Sequence, residues 1–158
     1  MISPSRPEES PSPLPPAAST PGNLAFFVPW AYAAAAYNFA WGLVNILFPG
    51  LFFDLLRIDR PNYLPIWQVV GMFVLVYAPA YFWTGRHPDR YPHLIVLGLL
   101  GKVLGPLGFL LAIATSGFPV LFGATILTND LIWWPAFVVY LRRAALLKGG
   151  WRTLLLGD

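Results

Sequence analysis

Formal charge is missing from this chain in long blocks: none from Ser10 to Phe53, none from Pro61 to Gly85 and none from Val103 to Asn129. Between Tyr91 and Leu141 the only formal charges are Lys102 and Asp130. A helix on the surface of a water-soluble domain needs a polar face, and a small domain has little interior in which to hide apolar helices. Charged residues make up 11% of the 158 and hydrophobic ones 57%, with mean hydropathy at +0.61; ordinary soluble domains carry roughly 25% charged residues. The chain is expected to be an integral membrane protein, all-α, folded as a four-helix bundle with kinked helices.

Four spans are predicted, at about 26–48, 65–84, 94–115 and 118–141, within a bundle covering 24–141. Their lengths of 20 to 24 residues suit a hydrocarbon layer of ~30 Å with some tilt. Pro49-Gly50 ends the first, and Pro65 stands at a first-turn position of the second. Between them LFFDLLRIDR mixes Asp54, Arg57, Asp59 and Arg60 with Leu and Phe. It reads equally as a short interfacial helix or a polar loop. Residues 1–23 carry seven prolines and five serines, too little apolar surface to fold, so a disordered Pro/Ser-rich tail is expected there. No apolar run follows Arg6 promptly, so the first span is expected to be an uncleaved anchor rather than a signal peptide.

Lys/Arg counting gives the orientation. Arg6, Arg86, Arg90, Arg142, Arg143, Lys148 and Arg152 fall on one side, seven in all, and only Arg57 and Arg60 on the other. Both termini are therefore expected in the cytoplasm. The basic juxtamembrane segment 142–158 pairs these cations with Leu and Trp151, which suits anionic headgroups of the lipid bilayer. This asymmetry explains the basic isoelectric point without nucleic acid. Trp30, Tyr63, Trp67, Trp83, Tyr91 and Tyr140 fall near span ends, where amphipathic rings anchor.

The inventory removes several chemistries. With no cysteine there is no disulfide, thiolate metal site, cysteine-ligated iron–sulfur cluster or thiol catalysis. The two histidines, His87 and His93, share one short loop, too shallow for a bis-histidine haem. With Asp89 they form a loose trio that reads as a solvated loop rather than a metal site. Ser116 is the only serine beyond the tail, leaving no depth-placed nucleophile and base. Gly98 to Gly108, GLLGKVLGPLG, lacks phosphate-loop spacing and a Ser/Thr after Lys102. No metal and no cofactor are expected.

Lys102 and Asp130 carry the strongest signal. They lie fourteen residues before and after Ser116, at the centre of the last turn. In an antiparallel hairpin rising ~1.5 Å per residue, both fall roughly 20 Å from the turn, at equal depth near the bilayer midplane. An isolated charge there costs at least ~2.5 kcal/mol, so the two are expected to pair, directly or through one water. Asn129 or Asn38 are the expected further partners. Gly98, Gly101, Gly105 and Gly108 form a small-residue stripe that predicts close helix approach. Pro106 frees the carbonyl of Lys102, and Pro135 that of Leu131, beside Asp130. Pro79 interrupts the second span. Asn38, Trp41 and Asn45 share a face of the first span; Tyr77 is near mid-depth in the second; Trp133 and Trp134 flank Asp130. Gln68 is at a depth to meet Asn45. These polar groups read either as bridges that lock helices together or as the lining of a cavity.

The segments PNYLPIWQVVGM (Pro61 to Met72), GLLGKVLGPLGF (Gly98 to Phe109) and LTNDLIWWPAF (Leu127 to Phe137) resemble those of small bacterial four-span membrane proteins of unassigned role. The resemblance covers 34–141, through Trp67, Gln68, Gly71, Lys102, Pro106, Asn129, Asp130, Trp133 and Trp134. It implies a multi-pass protein of the bacterial inner (plasma) membrane and no particular substrate. Such proteins are sometimes labelled alkyl hydroperoxide reductases, but the peroxidatic cysteine that label requires is missing here.

Two functions follow. In the first, Lys102 and Asp130 face a cavity that binds or passes a small or amphipathic molecule, or a proton, walled by Trp41, Tyr77, Trp133 and Trp134. In the second, the chain is a non-catalytic accessory subunit, as a homo-oligomer or within a larger membrane complex. A membrane enzyme acting on lipid or quinone is weakest, since one Lys–Asp pair supplies little acid–base machinery. A cavity touching both charges separates the first from the second.

Overall fold

A computed structural model describes residues 23–156. The proline-rich tail expected over 1–23 lies outside the described residues except for Asn23, whose side chain caps a 3-10 turn at Leu24–Phe27. The described residues are all-helical: α1 (Val28–Leu47), α2 (Leu51–Leu56), α3 (Leu64–Arg86), α4 (Pro92–Ser116), α5 (Gly123–Asn129), α6 (Trp134–Leu147) and α7 (Trp151–Leu156). Each of α1, α3, α4 and α6 has a proline in its first turn, where the missing N–H has no helical partner to lose. Of the two readings of LFFDLLRIDR the helical one is observed, as α2. The Arg60 guanidinium folds back onto exposed Asp54 and holds that carboxyl below its usual range.

Three stretches are long and apolar enough to cross a membrane: Leu64–Arg86, Pro92–Ser116 and Val120–Leu147. α1 has 20 residues and is not among them; Asn38 and Asn45 are buried in it. The outer faces are apolar. On α4, Leu97, Leu100, Leu104, Leu107, Leu110 and Leu111 are between 52% and 64% exposed, an apolar face of the kind that marks a membrane or protein contact.

The last of these stretches is not the single helix expected over 118–141. A 3-10 turn at Val120–Phe122 leads into α5, the helix stops at Asn129, and a second 3-10 turn at Leu131–Trp133 leads into α6. Pro135 therefore does not kink a continuous helix; it opens α6. Pro79 and Pro106 do lie inside α3 and α4. Nor does α6 end at Leu141: it carries Arg142 and Arg143 on to Leu147.

α1 and α3 make the closest pair, antiparallel along most of their length. A Cβ on Gly42 would lie 2.8 Å from the Gly71 carbonyl, and one on Gly71 would lie 2.9 Å from Asn45 Cβ. Two polar bridges clamp the same contact. Trp67 Nε1 donates to Asn45 Oδ1 at 2.6 Å, and Gln68 Nε2 to the Ile46 carbonyl at 2.7 Å. The Gln68–Asn45 pair expected from depth is thus replaced by Trp67–Asn45, because the indole reaches the amide first.

Aromatic packing closes the structure at both ends. At one, Phe27 stacks on Tyr140 at 4.1 Å and meets Phe137 edge-on at 5.5 Å. Tyr140 donates from its hydroxyl to the Pro88 carbonyl at 2.5 Å. At the other, Trp67 meets Trp41, Phe53 and Phe122 with centroids 5.2 to 5.9 Å apart. Rings in edge-to-face contact add about 0.5–1.5 kcal/mol per pair beyond area burial. Gly71→Leu should separate α1 from α3 and lower stability by about 1–3 kcal/mol, the usual range for overpacking. Thermal unfolding in detergent would register this as a lower midpoint, whereas Gly108→Leu, where a Cβ meets nothing within 4 Å, should leave the midpoint unchanged.

Candidate functional site

Between the two aromatic ends lies a cavity of about 160 Å³. α1 contributes Asn38; α3 contributes Val70, Phe73, Val74, Tyr77 and Tyr81; α4 contributes Gly98, Gly101 and Lys102; the α5–α6 break contributes Asn129 and Asp130. Lys102 lies ten residues into α4, about 15 Å along its axis at 1.5 Å per residue, so the cavity is at mid-length. Lys102 and Asp130 are both in it, as their symmetric spacing about Ser116 predicts. Both are buried, at 4% and 5% exposure.

Of the two expected arrangements, direct contact or contact through one water, the direct ion pair is not formed. Lys102 Nζ donates instead to the main-chain carbonyl of Asn129 at 2.5 Å. That carbonyl is open because α5 ends there, and a helix end leaves its last C=O groups without helical partners. Asp130 accepts from Asn129 Nδ2 at 3.1 Å, with its carboxylate laid against α4 at Gly105, where a Cβ would come within 2.8 Å of Oδ2. The ammonium also lies 5.9 Å from the Tyr81 ring centre and 5.7 Å from that of Trp133, within cation–π range.

The freed carbonyls are answered in both directions. Pro106 removes the helical donor to Lys102 O, and Trp134 Nε1 takes it at 3.1 Å. Trp133 Nε1 donates to Thr128 O at 3.1 Å. α4 thus satisfies a carbonyl of α5, and the start of α6 satisfies one of α4. Leaving such groups unmet in an apolar interior costs about 1–3 kcal/mol each.

The glycine stripe serves differently from expectation. Rather than admitting another helix backbone, Gly98 seats the Tyr81 ring, Gly101 the Tyr77 hydroxyl and Gly105 the Asp130 carboxylate. The close backbone approach is at Gly42 and Gly71. Trp41 is not in the cavity: it stacks with Phe52 at 5.7 Å in the aromatic cluster at the far end. Trp134 faces away from the cavity wall, toward Val103 and Pro106. Asn38 is in the cavity, but its amide N–H donates to Ala34 O at 2.7 Å within α1, and no hydrogen bond joins it to Lys102 or Asp130. Tyr81 is the participant that sequence reasoning missed; it lies four residues after Tyr77, one helical turn along the same face.

Among the described residues no three His, Cys, Asp or Glu side chains gather to hold a metal. His87 and His93 instead flank Tyr91. No family model, curated protein or solved structure matches this chain, so the site is read from its own geometry. Its chemistry is that of hydrogen-bond donation and acceptance in a small, partly apolar chamber.

Lys102→Met should lower stability by about 3–5 kcal/mol, since it strands a buried carboxylate as well as a carbonyl. Trp134→Phe, which removes one neutral hydrogen bond, should cost about 1 kcal/mol. Denaturant unfolding in mixed micelles measures both; equal losses would contradict the central place given to Lys102.

Proposed function

We propose that this chain is a four-span membrane protein whose buried chamber binds, or passes across the bilayer, a small or amphipathic molecule. The observation that carries this reading is the cavity containing both Lys102 and Asp130. Tight packing alone needs no void there, and protein interiors seldom keep one without polar contents. Mid-membrane ionisable groups are costly and usually face a pathway or a ligand. A broken helix whose carbonyls line a cavity is the arrangement many secondary transporters use for their central sites.

In this reading α1, α3, α4 and the α5–α6 segment are the four spans. The exposed leucines of α4 face lipid. The seven-to-two distribution of Lys and Arg sets both termini in the cytoplasm of a bacterial cell, by the positive-inside rule. Lys102 is the hydrogen-bond donor to the bound molecule and Asp130 its counter-charge. The accessory-subunit alternative requires a partner-facing surface, and no observation singles one out.

Reporter fusions at Leu156 and within 57–60 should read opposite sides of the membrane; a shared side would remove the four-span arrangement. Native mass spectrometry of protein released gently from membranes should find a small retained adduct. Gly101→Leu fills the chamber from α4 and should abolish that adduct while leaving helical circular dichroism unchanged. An adduct that survives the substitution would place the binding elsewhere and overturn the reading.

A further inference from the structure

We infer that the chamber takes the uncharged, oxygen-bearing head of a single-chain amphiphile, about the size of one phenol ring, entering sideways between α3 and α4. The inference rests on the binding reading above and specifies its ligand class. Four observations lead to it.

The first is where the chamber opens. Its exposed lining is on α3, with Phe73 at 67% and Val70 at 36%, so the mouth is on the lateral surface at mid-length and not at a helix end. In a four-span protein that position faces the hydrocarbon interior. A molecule with a charged head is held at the headgroup level and does not present it at mid-depth, whereas an uncharged amphiphile does.

The second is charge balance. One ammonium and one carboxylate share the chamber, so it offers no net field to retain an ion. The third is unused hydrogen-bonding capacity. Of the three N–H groups of Lys102 one is taken, by Asn129 O. Asn38, 2% exposed, spends its amide N–H on Ala34 O and keeps its oxygen. Tyr77 and Tyr81 also line the chamber, and Asn129 Oδ1 is buried without a partner. The chamber therefore asks for a group that accepts from an ammonium and donates to an amide oxygen, which a hydroxyl does and a hydrocarbon does not.

The fourth is size. The volume of about 160 Å³ is close to the ~150 Å³ of an engineered cavity that admits a benzene ring. The remaining chain of such an amphiphile passes out past Phe73 into lipid.

The test uses the full chain in lipid nanodiscs and 4-octylphenol carrying a diazirine in its alkyl chain. Irradiation followed by peptide mass spectrometry should label 70–73. A tenfold excess of plain 4-octylphenol should reduce that label at least fivefold, while octylbenzene, octanoate and octyltrimethylammonium should not. Tyr81→Phe, which removes only a hydroxyl, should lower the label at least threefold; Lys148→Met should not alter it. Equal competition by octanoate or octyltrimethylammonium would overturn the uncharged head, and equal competition by octylbenzene the hydrogen-bonding head, with the chamber still a binding site. Labelling spread evenly over the exposed leucines of α4, unaffected by any competitor, would overturn this inference and the binding reading together.

Discussion

A lysine ammonium seated on a carbonyl at a broken helix end holds the middle of this protein together. The α-helix satisfies its own backbone everywhere except at its ends. An end placed among apolar side chains must be answered by something that can reach it. Asn129 provides such an end about a third of the way along the last long segment, and Lys102 reaches it from the neighbouring helix at 2.5 Å. The exchange is mutual, because Trp134 returns an indole N–H to the carbonyl that Pro106 freed at Lys102. Removing the break would leave the ammonium without its acceptor; removing the lysine would leave the break without its donor. Asp130 balances the charge from the first residue past the break.

The rest of the architecture makes that arrangement tolerable. Gly105 lets the carboxylate lie on α4, and Gly98 and Gly101 make room for the Tyr81 ring and the Tyr77 hydroxyl of α3, with Tyr81 in cation–π range of the ammonium. The aromatic clusters close both ends, so the polar centre is bounded by large, stiff side chains. α1 holds the other side. Its buried Asn45 accepts from Trp67, and its contact with α3 is too close at Gly42 and Gly71 for any side chain. α1 is not among the three membrane-capable stretches although it is 20 residues long; its Asn38 and Asn45 are buried.

Much of this was legible in residue order. Charge-free blocks and proline positions coincide with α1, α3 and α4, because apolar length and first-turn proline are local properties, whereas the last stretch is broken and runs on to Leu147. The convergence of Lys102 and Asp130 on one chamber followed from helical rise and one turn. The break at Asn129 did not, since LTNDLIWW has the apolar weight of a continuous helix, and the opened carbonyl is met by a lysine 27 residues earlier. The glycine stripe was visible, but not its use: spacing gives a face, and only the neighbouring tyrosines and aspartate decide what fills it. Trp41 shares a face with Asn38 and Asn45, yet a turn of helix is enough to carry its ring into the far aromatic cluster. Tyr81 stands in an apolar stretch with no charge beside it, and its offset of four from Tyr77 was the one signal that pointed to it.

The separation of the two charges bears most on function. Had Lys102 and Asp130 met directly, each would have been the other's complete answer, and a pair of apolar residues of equal volume could replace them at little loss. Here each is held by a different part of the α5–α6 break: the ammonium by a main-chain carbonyl, the carboxylate by an amide N–H one residue away. Both keep hydrogen-bonding positions unfilled, and both line the same void as two tyrosine hydroxyls and an asparagine oxygen. A device for packing alone would use up that capacity internally, since unfilled polar positions in an apolar surround are destabilising. Capacity held in reserve around an open space is what the proposed occupant would use, and a clasp alone gives no reason for it.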